Sequence, residues 1–273
     1  MKKITFSIFA LLVVAFNYSF SQESKSAGPK HENHFKDKTV ESDDLKITFE
    51  NIFAMREFCK MKMVLENKTS DFLVFRMDET TFQFAHGEHK AKDKEFLIKP
   101  HSKITKTLGV DGDTRYHEDN FAIKFDGIYR APTKGESFTA ENFRLPPAAQ
   151  EFSTGPFKVK INGWKKESHS SFAEFKVTYT GKDIGIIDSY KLMVAIQDGR
   201  EFPPVSGETT ALLPGDSEKF VAKFDISTKI IDMQFETLNI IWKDTFRESK
   251  KTKVNLDAVN FELDPGKTAA QNK

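Results

Sequence analysis

One ending is written twice in this chain, and that constrains its fold more than any other feature. The stretch "ENFRLPP" at 141–147 returns 118 residues later as "VNFELDP" at 259–265. It is the last of five matches that fall in one order. "LKITFEN" at 45–51 matches "FKVKING" at 157–163, and "FCKMKMVLEN" at 58–67 matches "FAEFKVTYTG" at 172–181. "LIKPHSK" at 97–103 resembles "LLPGDSEK" at 212–219, and "FAIKFDGIYR" at 121–130 matches "LNIIWKDTFR" at 238–247. The offsets run from 112 to 118 residues. Collinear matches at a nearly fixed spacing describe an internal duplication. Each copy has an ordinary domain size, so the sequence predicts two domains, 43–147 and 154–266, with a linker at 148–153.

The matched segments alternate apolar and polar residues with period two, as half-buried strands do. Leu45, Ile47 and Phe49 point one way, and Phe157, Val159 and Ile161 are their counterparts. Cys59, Met61, Met63 and Leu65 match Ala173, Phe175, Val177 and Tyr179. Phe121, Ile123 and Phe125 match Leu238, Ile240 and Trp242. Phe220, Ala222, Phe224 and Ile226 form a further face, whereas their first-copy counterpart "KITKTL" alternates poorly. Asp198-Gly199 sits between strand-like runs and predicts a tight hairpin, with His86-Gly87 at the aligned place in the first copy. Many short strands without a helical period predict an all-β fold of two tandem antiparallel Ig-like β-sandwich domains.

The order of these signals carries a resemblance. A strand ending "ENKTSD", a hairpin on an Asp-Gly or His-Gly pair, and "LLPGDSEK" leading into a strand resemble secreted bacterial Ig-like domains of unknown function from envelope proteins. The first copy departs from that pattern with "KPHSK" and the second with "YTGKD". The "MKK…SFSQ" start and the abundance of Phe and Lys resemble secreted proteins of the Bacteroidetes type. The resemblance implies a non-catalytic domain and names no substrate.

The flanks are of another character. Lys2 and Lys3, the apolar run Ile4–Phe16, and Ser19 and Ser21 before a cut after Ser21 form the three parts of a secretory signal peptide at 1–21. A retained anchor is the alternative, although the run is shorter than the roughly 20 residues that a spanning helix needs. The sequence predicts export to the periplasm or the cell surface without a lipid anchor, since no cysteine follows the apolar run. Segments 22–42 and 267–273 hold few aliphatic residues and predict a disordered arm and tail. Without Lys2 and Lys3 the 41 basic residues become 39 against 40 acidic ones. A net charge of about −1 argues against nucleic acid or an anionic membrane as the main partner. Cys59 is the single cysteine; its inward face in the strand pattern predicts burial.

Few residues carry chemistry. His86 and His89 in "AHGEHKAKD" have a spacing that can chelate zinc or copper through neutral imidazoles; the same residues also read as a solvated hairpin tip. His101 and His117 lie in the same copy, and His31 and His34 lie in the arm. Asp111, Asp113, Glu118 and Asp119 gather in "VDGDTRYHEDN". An oxygen-rich loop suits calcium, although the twelve-residue calcium-loop pattern is absent. The metal candidates are therefore His86, His89, Asp111 and Asp113. Met61 and Met63 share the inward face of Leu65, which favours packing over copper ligation. Asn67-Lys68-Thr69 fits the N-glycosylation pattern and also a turn. Trp242 alternates with the core set, which leaves Trp164 as the tryptophan able to meet a glycan.

No nucleophile motif, zinc-protease motif or phosphate-binding glycine loop is written in the sequence, and no cofactor is expected. The sequence predicts a non-catalytic envelope protein that works by contact with another envelope protein. A metal- or glycan-binding module is the alternative.

Overall fold

A computed structural model of the chain describes residues 31–92, 94–112 and 115–273. The expected signal peptide at 1–21 and residues 22–30 of the expected arm lie outside the described residues. The fold is almost entirely antiparallel β. The strands of the first copy and its preceding arm are β1 (Asn33–His34), β2 (Lys38–Glu41), β3 (Leu45–Ala54), β4 (Phe58–Asn67), β5 (Phe72–Arg76), β6 (Thr80–Phe84) and β7 (Gly87–Lys90). They continue with β8 (Glu95–Ile98), β9 (Lys103–Asp111), β10 (Asn120–Phe125), β11 (Ile128–Ala131), β12 (Glu136–Phe138) and β13 (Phe143–Leu145). The second copy supplies β14 (Glu151–Thr154), β15 (Phe157–Lys166), β16 (Ser170–Tyr179), β17 (Ile184–Asp188), β18 (Leu192–Ala195) and β19 (Glu201–Phe202). It ends with β20 (Thr209–Leu212), β21 (Ser217–Asp225), β22 (Leu238–Trp242), β23 (Phe246–Ser249), β24 (Thr252–Lys253), β25 (Val259–Glu262) and the short helix α1 (Pro265–Gln271).

The duplication is visible strand by strand. β3, β4 and β9 form one ladder with β1 and β2 on the β3 edge, and β15, β16 and β21 form its equivalent with β14 on the β15 edge. The expected alternation decides which residues are inside. Leu45, Ile47 and Phe49, and Phe157, Val159 and Ile161, are all buried. A bulge follows in both copies, between Glu50 and Phe53 in β3 and between Ile161 and Gly163 in β15. Asn51 takes a positive φ of 51° there.

The repeated ending does not close its own copy. β12 and β13, from the end of the first copy, pair with β23 and β22 of the second. β24 and β25, from the end of the second copy, pair with β11 and β10 of the first. Phe261 thus lies opposite Phe121 and Val259 opposite Ile123, while Leu145 lies opposite Leu238. The resulting sheets run β25–β10–β6–β7 and β24–β11–β5–β8 on one side, and β13–β22–β18–β19 and β12–β23–β17–β20 on the other. The chain crosses from β11 to β12 through 132–135 and back from β23 to β24 through 250–251. This exchange corrects the boundaries 43–147 and 154–266. Those limits follow the repeat, but each hydrophobic core is completed by the other copy's ending.

Val254, Val259 and Phe261 lie in the core built on β3, β4, β6 and β10. Ala140 and Leu145 lie in the core built on β15, β16, β18 and β22. A third core joins the two: Phe72, Val74 and Ala131 pack with Ile184, Ile186 and Ala211. β5 and β17 are therefore covered on both faces, which is why "FLVF" and "IGII" read as unbroken apolar runs instead of alternating. The second copy's departure from the turn motif also has a packing cause. The register corrects the sequence match of Tyr179 to Leu65 by two residues: Tyr179 lies opposite Phe157 as Asn67 lies opposite Leu45, so Tyr179 stands at the place of Asn67 and Gly185 at that of Leu73. A Cβ on Gly185 would meet ring carbons of Tyr179 at 2.6 Å, so the large ring and the missing side chain compensate each other. Asn67 itself is buried and donates to the carbonyls of Asp71, Ile98 and Lys99 at 2.7, 3.3 and 3.0 Å. That is a turn device, out of reach of a glycan.

The described part of the arm is ordered. β1 pairs with Phe53 and Ala54 of β3, β2 pairs with residues 46–49, and Phe35 is fully buried. The tail corrects the disorder expectation too, since α1 spans Pro265–Gln271, capped by the Asp264 carboxylate on the Lys267 amide. Thr268 Oγ1 accepts from the His34 amide at 2.9 Å, and Asn272 is hydrogen-bonded to both amide groups of Glu32. Backbone pairing plus one buried Phe ordered segments too poor in aliphatics to form a core alone. β14 likewise absorbs the second half of the linker at 148–153.

Candidate functional site

β6 and β7 form a hairpin in which Phe84 lies opposite Gly87 and Phe82 opposite His89. The two-residue turn is Ala85–His86. Gly87 takes φ 145°, open to glycine at no steric cost. Among the described residues β7 is the edge strand of its sheet, so both histidines sit at an edge. Their Nε2 atoms are 3.1 Å apart.

The segment before β10 completes the surroundings. Glu118 Oε1 lies 2.6 Å from His86 Nδ1, and Glu118 Oε2 accepts from the Ala85 amide at 2.7 Å. Burial alone would raise the Glu118 carboxyl, yet the Ala85 amide and His86 together hold it below the usual glutamate range. The His86 ring stacks on Phe84 with centroids 5.3 Å apart, and His89 meets Tyr116 edge-on at 5.2 Å. A second imidazole pair adjoins: His31 Nδ1 is 2.6 Å from His117 Nε2. Burial, and then the neighbouring His31, push His117 below the ordinary histidine range against the opposing pull of Asp119. Asn33 Nδ2 donates to the Glu118 carbonyl at 3.1 Å, tying β1 to the same segment.

Of the sequence candidates, the structure brings His86 and His89 together and leaves Asp111 out. The Asp111 carboxylate pairs with Lys92 at 2.6 Å; Asp113 lies outside the described residues. Glu118 is turned to His86, so the oxygen set expected for calcium does not converge at Asp111 and Glu118. Among the described residues no group of three or more His, Cys, Asp or Glu side chains is arranged to hold a metal ion. Sequence reasoning missed the role of Glu118 because 32 residues separate it from His86. The β6–β10 ladder brings them together, pairing Gln83 with Ala122. His31 and His34 also leave the unstructured-arm reading; His34 stacks on Phe53 at 5.8 Å.

A second feature lies at the β15 edge. In the first copy the end of β3 is covered by β1, and the Phe35 amide donates to the Ile52 carbonyl at 3.0 Å. Ile52 is fully buried. Its counterpart at the repeat offset is Trp164, which is 44% exposed. Among the described residues the ladder on that side of β15 ends where the Ile161 amide meets the Gln150 carbonyl. Lys166, two residues along the same strand face, reaches the Glu236 carbonyl at 2.5 Å. The 229–237 turn beside it exposes Ile230 and, at 81%, Phe235.

No protein-family model matches the chain, and no curated protein matches it. Among solved structures it is similar to red sea bream transglutaminase, at 9% identity and a TM-score of 0.19, over 82% of this chain and 31% of that one. The chain thus spans about a third of that protein's length. It is also similar to AerE from Microcystis aeruginosa, at 9% identity and a TM-score of 0.13, over 84% and 98% of the two chains. Neither likeness is close enough to carry fold or function across.

Proposed function

We propose that this chain is a non-catalytic, exported component of the bacterial cell envelope. In this reading it consists of two Ig-like sandwiches fused by strand exchange, and it acts by binding another envelope protein. The observation that carries the reading is the uncovered end of β15. The first copy needs β1 to cover the same edge and bury Ile52; among the described residues the second copy presents Trp164 and backbone with no strand paired to it there. An extended segment of a partner adding to that edge would satisfy backbone groups and cover the indole, as strand-addition complexes do. The apolar Ile230 and Phe235 beside it extend the contact. The strand exchange suits such a role, because a rigid body loses little entropy on binding. Export rests on the N-terminal pattern of charge, apolar run and small residues. A glycan platform has weaker support, since Trp242 is buried and Trp164 is a lone exposed indole.

The test is site-specific photo-cross-linking in intact source cells. A photo-reactive side chain at Trp164 is expected to give one discrete adduct, and the same group at Lys158, on the paired part of β15, none. Identical patterns at both positions, or no adduct at Trp164, would remove the edge as a docking site.

A further inference from the structure

We infer that His86 and His89 form a two-imidazole site for a late first-row divalent transition-metal ion, with the Glu118 carboxylate behind His86 as its orienting group. The inference is independent of the β15 edge and rests on the geometry of the hairpin and of Glu118. An ionised carboxylate only accepts, so the 2.6 Å contact with Glu118 places the proton of neutral His86 on Nδ1. The lone pair of that tautomer is then on Nε2, the atom that faces His89. Carboxylate–histidine pairs of this kind fix ring orientation and raise ligand basicity in metal sites.

The spacing fits a shared ion. Two nitrogens at about 2.0–2.1 Å from one metal stand about 2.9 Å apart at a right angle and about 3.4 Å apart at a tetrahedral angle. The observed separation of 3.1 Å lies between these values, so one ion spans the pair by taking the place of the proton that His89 Nε2 donates to His86 Nε2, with His89 shifting to its Nδ1–H tautomer. The rings are already oriented. Phe84 stacks on His86, Tyr116 meets His89 edge-on, and the Ala85 amide fixes the second oxygen of Glu118. Two protein nitrogens leave the remaining positions to water or to a donor from outside, at an edge of β7 that no described strand covers. Imidazole donors select copper, nickel and zinc over calcium and magnesium, with copper(II) the tightest.

The experiment uses the full mature chain, purified without a histidine tag, stripped with chelator, and titrated calorimetrically with copper(II), zinc(II) or calcium alone. One site is expected for copper(II), a weaker one for zinc(II), and no heat of binding for calcium. His89→Ala should weaken copper(II) at least tenfold. Glu118→Gln should weaken it ten- to a hundredfold, as loss of an orienting partner does. His31→Ala and His117→Ala should leave it within twofold. Electron paramagnetic resonance of the wild-type copper complex should show two coordinated nitrogens from imidazole, which decides the case even if a variant fails to fold. Copper binding that survives His89→Ala, follows His117 instead, or is matched by calcium would overturn the assignment.

Discussion

Cutting the backbone between Ala148 and Ala149 distinguishes the exchanged architecture from two independent domains on a tether. The site is exposed and lies outside every strand, so a specific protease sequence inserted there leaves the ladders intact. After cleavage the N-terminal fragment still donates β12 and β13 to the second core, and the C-terminal fragment donates β24 and β25 to the first. Leu145, Val254, Val259 and Phe261 are buried in these exchanges, and full burial of such a side chain is worth about 1.5–3 kcal/mol. Those four contribute about 6–12 kcal/mol by that rule. Phe72, Val74, Ile184 and Ile186 in the joining core add about as much again. Association costs about 4–15 kcal/mol. The midpoints of these ranges leave about 8 kcal/mol, a dissociation constant near a micromolar or below. Size-exclusion chromatography with light scattering at about ten times that concentration should therefore show the nicked chain at the mass of the intact one. The fragments should part only when denaturant unfolds them. Two folded fragments eluting separately in native buffer would refute the exchange.

Further outcomes follow from single residues. Gly185→Ala should cost about 1–3 kcal/mol by overpacking against Tyr179, read from urea unfolding; an unchanged midpoint would show that the ring does not occupy that space. Burial pushes the Cys59 thiol well above its ordinary range, so a maleimide should leave the native protein unmodified and label it after denaturation. Rapid native labelling would contradict the inward face of β4. The depressed Glu118 carboxyl contributes stability above its unfolded value near 4.5, and that contribution is lost as pH falls through the lower folded value. Melting temperature should consequently fall less steeply for Glu118→Gln than for wild type on acidification below about pH 4.5; parallel curves would remove the linkage.

The chain's own pattern determined the strands, their inward faces and the duplication, because alternation and repetition are local properties. Leu45 to Phe49 and Phe157 to Ile161 could be assigned from spacing alone, and so could the burial of Cys59, Met61 and Trp242. The pairing of the repeated endings was not determined that way. β13 and β25 carry similar patterns, and their apolar residues suit the ladder of either copy. The crossings at 132–135 and 250–251 take each ending to the opposite core. Only the tertiary structure decides this, since two similar ladders offer an ending nearly the same contacts. The same holds for the site. His86 and His89 share a hairpin and their spacing was legible, whereas Glu118 reaches them only because β6 pairs with β10. Trp164 could be guessed to be exposed. That it marks an edge which the first copy covers follows from β1, a segment whose composition predicts disorder. It is ordered because β3 offers it a ladder and the core accepts one phenylalanine, Phe35.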